Sequence, residues 1–125
     1  DVPGGLVIFG LGFGLGRLAR VPWLADVDVH YWGDIDTHGF SMLDRLRATL
    51  PQARSWLMDR ATLLAHRPAW GQEQENERHL APLPRLDPDE TSLYADLVAN
   101  RIADRLRLEQ ERVSFGWLQR AIEAL

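Results

Sequence analysis

The chain has 125 residues, no cysteine, no lysine and a formal net charge of -4. That length supports one domain with a single modest core, and the lack of cysteine excludes disulfides and thiolate metal sites. No apolar run approaches the roughly 20 residues that cross a bilayer, and no signal peptide opens the chain, so a cytoplasmic protein with no membrane partner is expected.

The acidic balance argues against a general electrostatic grip on nucleic acid. The argument weakens where a domain gathers carboxylates around a metal. Every basic side chain other than histidine is arginine. Arginine suits bidentate phosphate contacts, but uniform arginine also follows from genome composition alone.

Taken in order, Leu6-Val7-Ile8-Phe9 reads as an apolar strand running into Gly10, Gly12, Gly14 and Gly16. A short helix is expected over about residues 15–20, stopped by Pro22. Val27 to Asp36 is rich in β-branched and aromatic residues and reads as a second, buried strand. Phe40, Leu43, Leu46 and Leu50 then recur at helical spacing up to Pro51, with Asp36 or Thr37 as cap. Ser55-Trp56-Leu57-Met58 reads as a third strand ending at Asp59. This β-α-β-α-β order predicts an α/β fold with a mostly parallel sheet flanked by helices.

Beyond residue 67 the character changes. Pro68, Pro82, Pro84 and Pro88 punctuate a stretch carrying Glu73, Glu75 and Glu77, expected to be a surface loop over 68–87. Asp87-Pro88-Asp89-Glu90 is a helix start, with Leu93, Leu97 and Ile102 as its buried stripe. Residues 106–109 read as a short extended segment, and Ser114 caps a last helix through Trp117, Leu118 and Ile122. Trp32 and Trp56 are expected inside, whereas Trp70 and Trp117 suit a partner surface. Residues 88–125 are thus mainly helical.

The chemistry concentrates in Gly33-Asp34-Ile35-Asp36. Side chains two apart on a strand share a face, so Asp34 and Asp36 converge at the strand's carboxyl end, where open α/β sheets bind ligands. A hard, oxygen-seeking cation offsets the repulsion between two such acids, and the pair reads as a Mg²⁺ or Mn²⁺ site. The alternative is structural: Asp36 caps the next helix and Asp34 is solvated. Gly33 and Gly39 permit close approach of backbone, phosphate or metal. Gly10 to Gly16 admits two readings as well, a nucleotide-binding turn that would use Asp34 or a flexible turn between strand and helix. Arg45, Arg47, Arg54 and Arg60 are candidates for phosphate contact, each also explained by a solvated face. His38, next to the acids, could meet a scissile phosphate. Asp59 is a further possible ligand or a helix cap.

Tyr31 to Phe40 resembles the Asp-x-Asp motif of Toprim domains, in the Asp-x-Asp-x-x-Gly form found in topoisomerase VI A subunits. Gly10-Leu11-Gly12-Phe13-Gly14, Ser55 to Asp59 and Arg107-Leu108-Glu109-Gln110-Glu111 extend the likeness. Together they are similar to the C-terminal domain of the JetD family, the nuclease subunit of the Wadjet plasmid-defence system. The resemblance implies a Toprim-like fold over residues 1–125, with an α/β core over 1–67, and divalent-metal-dependent cleavage of double-stranded DNA. Asp34 and Asp36 match the family's metal-binding acids, and Glu109, in a matched phrase, becomes a third catalytic and metal-binding candidate beside Asp59. His38, Arg45 and Arg60 are the DNA-binding candidates. A homodimer acting with SMC-like partner subunits is also implied.

One departure stands out. Toprim domains carry a glutamate at the end of their first strand, and upstream of Asp26 the only acid is Asp1. The expectation is a domain lacking its first strand, with half an active site and no activity alone. Two rivals remain: a nucleotide-binding module using Gly10 to Gly16, and a non-catalytic interaction domain.

Overall fold

The computed structural model describes residues 26–125 and the backbone of residues 5–9. The Gly10 to Gly16 turn, the helix expected near residues 15–20 and Asp1 lie outside the described residues. Strands β1 (Gly5–Phe9), β2 (Asp28–Trp32) and β3 (Arg54–Ser55) form a parallel sheet in the order β1-β2-β3. Between β2 and β3 runs helix α1 (Thr37–Thr49), and α2 (Arg60–Ala65) follows β3. The expected α/β alternation with parallel pairing is therefore present.

Central position explains the composition of β2. Val29 and Tyr31 point into the main core, while Trp32 points to the opposite face and packs edge-on against Trp56 at 5.3 Å. A strand covered on both sides needs apolar residues at both phases. The main core is completed by Phe40, Leu43 and Leu46 of α1 and by Leu93 and Leu97 of helix α3 (Pro88–Val98). Phe40 meets the ring of Tyr94 edge-on at 6.3 Å.

Helix α3 starts as its sequence predicts. Asp87 accepts the Glu90 N–H, Glu90 accepts the Asp87 N–H, and Pro88 occupies the first turn. The Glu90 carboxylate also takes both terminal nitrogens of Arg47, at 2.5 and 3.0 Å, and the Ser55 hydroxyl at 2.5 Å. One buried ion pair thus ties α1, β3 and α3 together. Arg47 is turned inward by it and does not face solvent as a phosphate-binding group would.

Four boundaries differ from the sequence expectation, the first being that α3 ends at Val98, with Asn100 at φ 55°, so that Ile102 lies beyond the helix. Regular pairing of β2 stops at Trp32, and the expected third strand shrinks to Arg54–Ser55. Leu57 has φ 58°, a left-handed conformation that no extended strand tolerates. The stretch from 68 to 87 is exposed over much of its length but is not merely a loop. It carries β4 (Gly71–Gln72), which pairs antiparallel with β5 (Leu106–Arg107), and a buried Glu73. A last helix, α4 (Phe115–Glu123), is capped by Ser114 and lays Trp117, Leu118 and Ala121 on Trp32, Trp56 and Leu57. Trp117 donates to the Thr62 hydroxyl at 2.9 Å and Trp70 to the Leu63 carbonyl at 2.8 Å, so both indoles serve internal packing.

Candidate functional site

The aspartates sit where β2 leaves the sheet. Ile35 forms an isolated antiparallel bridge with Leu108, N–H to carbonyl in both directions at 2.9 and 3.1 Å. Ile35 and Leu108 turn into the core, 1 % and 0 % exposed. Of their neighbours, Asp34 and Arg107 both act electrostatically on Asp36. The late segment thereby reaches the Asp-x-Asp segment directly.

Each aspartate has one oxygen engaged. Asp34 Oδ1 accepts the Gln110 N–H at 2.9 Å, and Asp36 Oδ1 accepts the Gly39 N–H at 2.6 Å as the cap of α1. Among the described residues, neither Oδ2 has a hydrogen-bond partner. Asp36 is only 3 % exposed, and burial pushes its carboxyl up to about 7. The Gly39 N–H works against that rise, the charges of Glu73 and Asp34 add to it, and Arg107 opposes it. Burial also raises the Tyr31 phenol, reinforced by Asp34 and then Asp36. Both carboxylates therefore act on one phenol at the end of β2.

Two groups here escaped the sequence reading. Glu73 is 1 % exposed; it accepts the Thr37 hydroxyl at 2.8 Å on both oxygens and the His38 N–H at 2.9 Å. It lies among exposed glutamates in a stretch without periodicity, so no local signal marks it as internal. Among the described residues, Arg107 supplies the opposing charge that Asp36 feels, and its buried Nε has no hydrogen-bond partner there.

The other candidates are spread more widely. Glu109 follows Leu108 on the bridged segment, half-buried, and pairs loosely with Arg112 at 3.5 Å. Asp59 is exposed and caps α2 through the Thr62 N–H at 2.8 Å. Arg60 reaches Asp96 at 2.9 Å and the Ser92 hydroxyl at 3.3 Å. His38 and Arg45 are exposed on α1 and line a cavity of about 470 Å³ with Ser41 and His79.

Among the described residues, no three acidic or histidine side chains stand together as a ready-made metal cage. The aspartate pair nevertheless fits a hard cation. Its donors are all oxygen, and among the described residues local negative charge exceeds positive and neither Oδ2 atom has a hydrogen-bond partner. Mg²⁺ characteristically takes one or two carboxylates and completes its shell with water and substrate phosphate. A phosphate bound at the first turn of α1 is disfavoured, because Asp36 and Glu73 already occupy the Gly39 and His38 amides.

No helix among the described residues is long and apolar enough to cross a membrane. No curated protein matches the chain. A family model described as the C-terminal part of the Wadjet protein JetD matches residues 1–122. The chain, matched over nearly its whole length, belongs to the JetD C-terminal family.

Proposed function

We propose that this chain is the Toprim-like metal-binding part of a DNA endonuclease within a Wadjet defence system. Membership of the JetD C-terminal family makes it a component of that system. The observation that supports the nuclease reading is the buried Asp36 beside Asp34, next to the Ile35–Leu108 bridge that joins the chain segment carrying Glu109 to the Asp-x-Asp segment. Asp34 and Asp36 would hold a divalent cation, and Glu109 would add a further carboxylate only by moving toward them, since no third acid stands with the pair among the described residues. Such a cation supplies Lewis acidity toward a phosphodiester oxygen and toward the attacking water.

The chain's own groups divide the remaining tasks. Arg107 offsets part of the charge that accumulates at Asp36 when no cation is present. His38 and Arg45, exposed on α1, contact backbone phosphates of double-stranded DNA along the cavity they line. Arg60 joins them only by releasing Asp96, and Asp59 joins the metal only by giving up part of its cap. Water is the nucleophile. Tyr31 is 2 % exposed with its phenol raised, and the Tyr94 hydroxyl donates to the Ala81 carbonyl at 2.7 Å. Neither is placed to attack phosphorus. The natural-length protein acts as a homodimer with SMC-like partner subunits.

Plasmid cleavage by the natural-length protein and its partners tests this reading. Cleavage requires Mg²⁺ or Mn²⁺ and is lost in Asp34→Ala. Full cleavage by Asp34→Ala would leave the non-catalytic reading standing instead.

A further inference from the structure

We propose that Glu73 is a positioning residue for the aspartate pair, closing a hydrogen-bonded ring that fixes Asp36 relative to the Arg107–Glu109 segment. The inference rests on the metal-binding reading of Asp34 and Asp36. The ring runs through four connections. Ile35 and Leu108 are bridged by two backbone hydrogen bonds. From Leu108 the chain leads back to Arg105, whose carbonyl accepts the Glu73 N–H at 2.7 Å. The Glu73 carboxylate then grips the Thr37 hydroxyl and the His38 N–H. From Thr37 the chain returns through Asp36 to Ile35. Asp36 lies inside this closed path, with a restraint on each side.

Two further features point to a geometric demand. The Thr37 hydroxyl, fully buried, also accepts the His79 N–H at 3.0 Å, so its donor is directed at Glu73. A buried carboxylate is costly unless paired, and here the buried Arg78 pairs with it, Nε at 3.4 Å, while Arg78 Nη2 donates to the Leu97 carbonyl at 2.8 Å. An acid buried near two others opposes folding stability. A glutamine oxygen would still accept from Thr37 and His38, at the loss of the Arg78 pairing. Both Glu73 oxygens accept protein donors, from Thr37, His38 and Arg78, which sets it behind the aspartates and not among the ligands.

The test is Mn²⁺ affinity in the natural-length protein, followed by electron paramagnetic resonance, with thermal unfolding recorded in parallel. Glu73→Ala should weaken Mn²⁺ binding by about 10- to 100-fold, the range for lost outer-shell partners, and Glu73→Gln by no more than about threefold. Rescue by glutamine separates positioning from direct ligation, since a ligand would be lost in both variants. Equal losses in both, or wild-type affinity in a folded Glu73→Ala, would overturn the proposal. If Glu73→Ala does not fold, Thr37→Val decides: weaker Mn²⁺ binding supports the ring, and unchanged binding overturns it. Absence of Mn²⁺ binding in wild type, or full binding in Asp34→Asn, defeats the metal reading itself and the proposal with it.

Discussion

Gly39, in the first turn of α1, lies so close to the Asp34 carbonyl oxygen that a β-carbon there would overlap it. The same β-carbon would approach Asp36 Oδ1 at 3.2 Å. Helical glycine to alanine ordinarily stabilises by about 1 kcal/mol. Gly39→Ala should do the reverse, by roughly 1–3 kcal/mol, because the overlapped atom is backbone and cannot rotate away. Urea unfolding measures it. Stabilisation would show that α1 is not packed against Asp34 as described.

The pH dependence of Asp36 has a definite sign. Its carboxyl is raised from 3.8 to about 7, so the folded state holds the proton more tightly than the unfolded chain. Stability from this group is full below pH 3.8, falls as pH climbs toward 7, and does not recover above it. Asp36→Asn keeps a capping oxygen and removes the slope. Without divalent cation at pH 8, the variant should be more stable than wild type by roughly 2–4 kcal/mol. Added Mn²⁺ should restore wild type and leave the variant unchanged. Parallel pH profiles of the two proteins would contradict this.

Arg47 holds a carboxylate that is 6 % exposed. Removing it strands the Glu90 charge, and Arg47→Ala should cost about 3–5 kcal/mol in a denaturant titration. Burial acts to raise the Glu90 carboxyl, but hydrogen bonds from Arg47, Ser55 and Asp87 outweigh it and hold the carboxyl below its usual range. Its contribution is therefore present at neutral pH and lost as acid protonates the folded form. A cost below about 1 kcal/mol would place the pair among ordinary surface bridges.

Glu109 and Asp59 separate by substitution. Glu109→Gln loses only a loose pair with Arg112, so stability should stay within about 0.5 kcal/mol while DNA cleavage falls at least tenfold. Asp59→Asn preserves the α2 cap and should leave both stability and cleavage near wild type. Loss of cleavage in Asp59→Asn alone would move the third carboxylate from the Leu108 segment to the residues that follow β3.

The legible parts of this fold were those written in local pattern. The Asp87 capping box, the Ser114 cap, the Phe40-Leu43-Leu46 stripe and the parallel order of strands follow from propensity and periodicity. Spacing singled out the Asp34–Asp36 pair, with the Asp36 cap as the stated alternative; the structure has that cap, and among the described residues the second oxygen accepts no hydrogen bond. Tertiary events were not legible. Glu73 owes its burial to Thr37, 36 positions earlier, and the Gln110 amide meets Asp34 across 76 positions. Leu57 overrode its strand pattern because the chain turns sharply there toward the Asp59 cap.

The most direct test is anomalous scattering from crystals of the natural-length protein grown with Mn²⁺. The account predicts a peak within coordination distance, about 2.0–2.2 Å, of an oxygen from both Asp34 and Asp36, absent in Asp34→Asn crystals. Well-ordered crystals showing both carboxylates and no peak between them at saturating Mn²⁺ would contradict it.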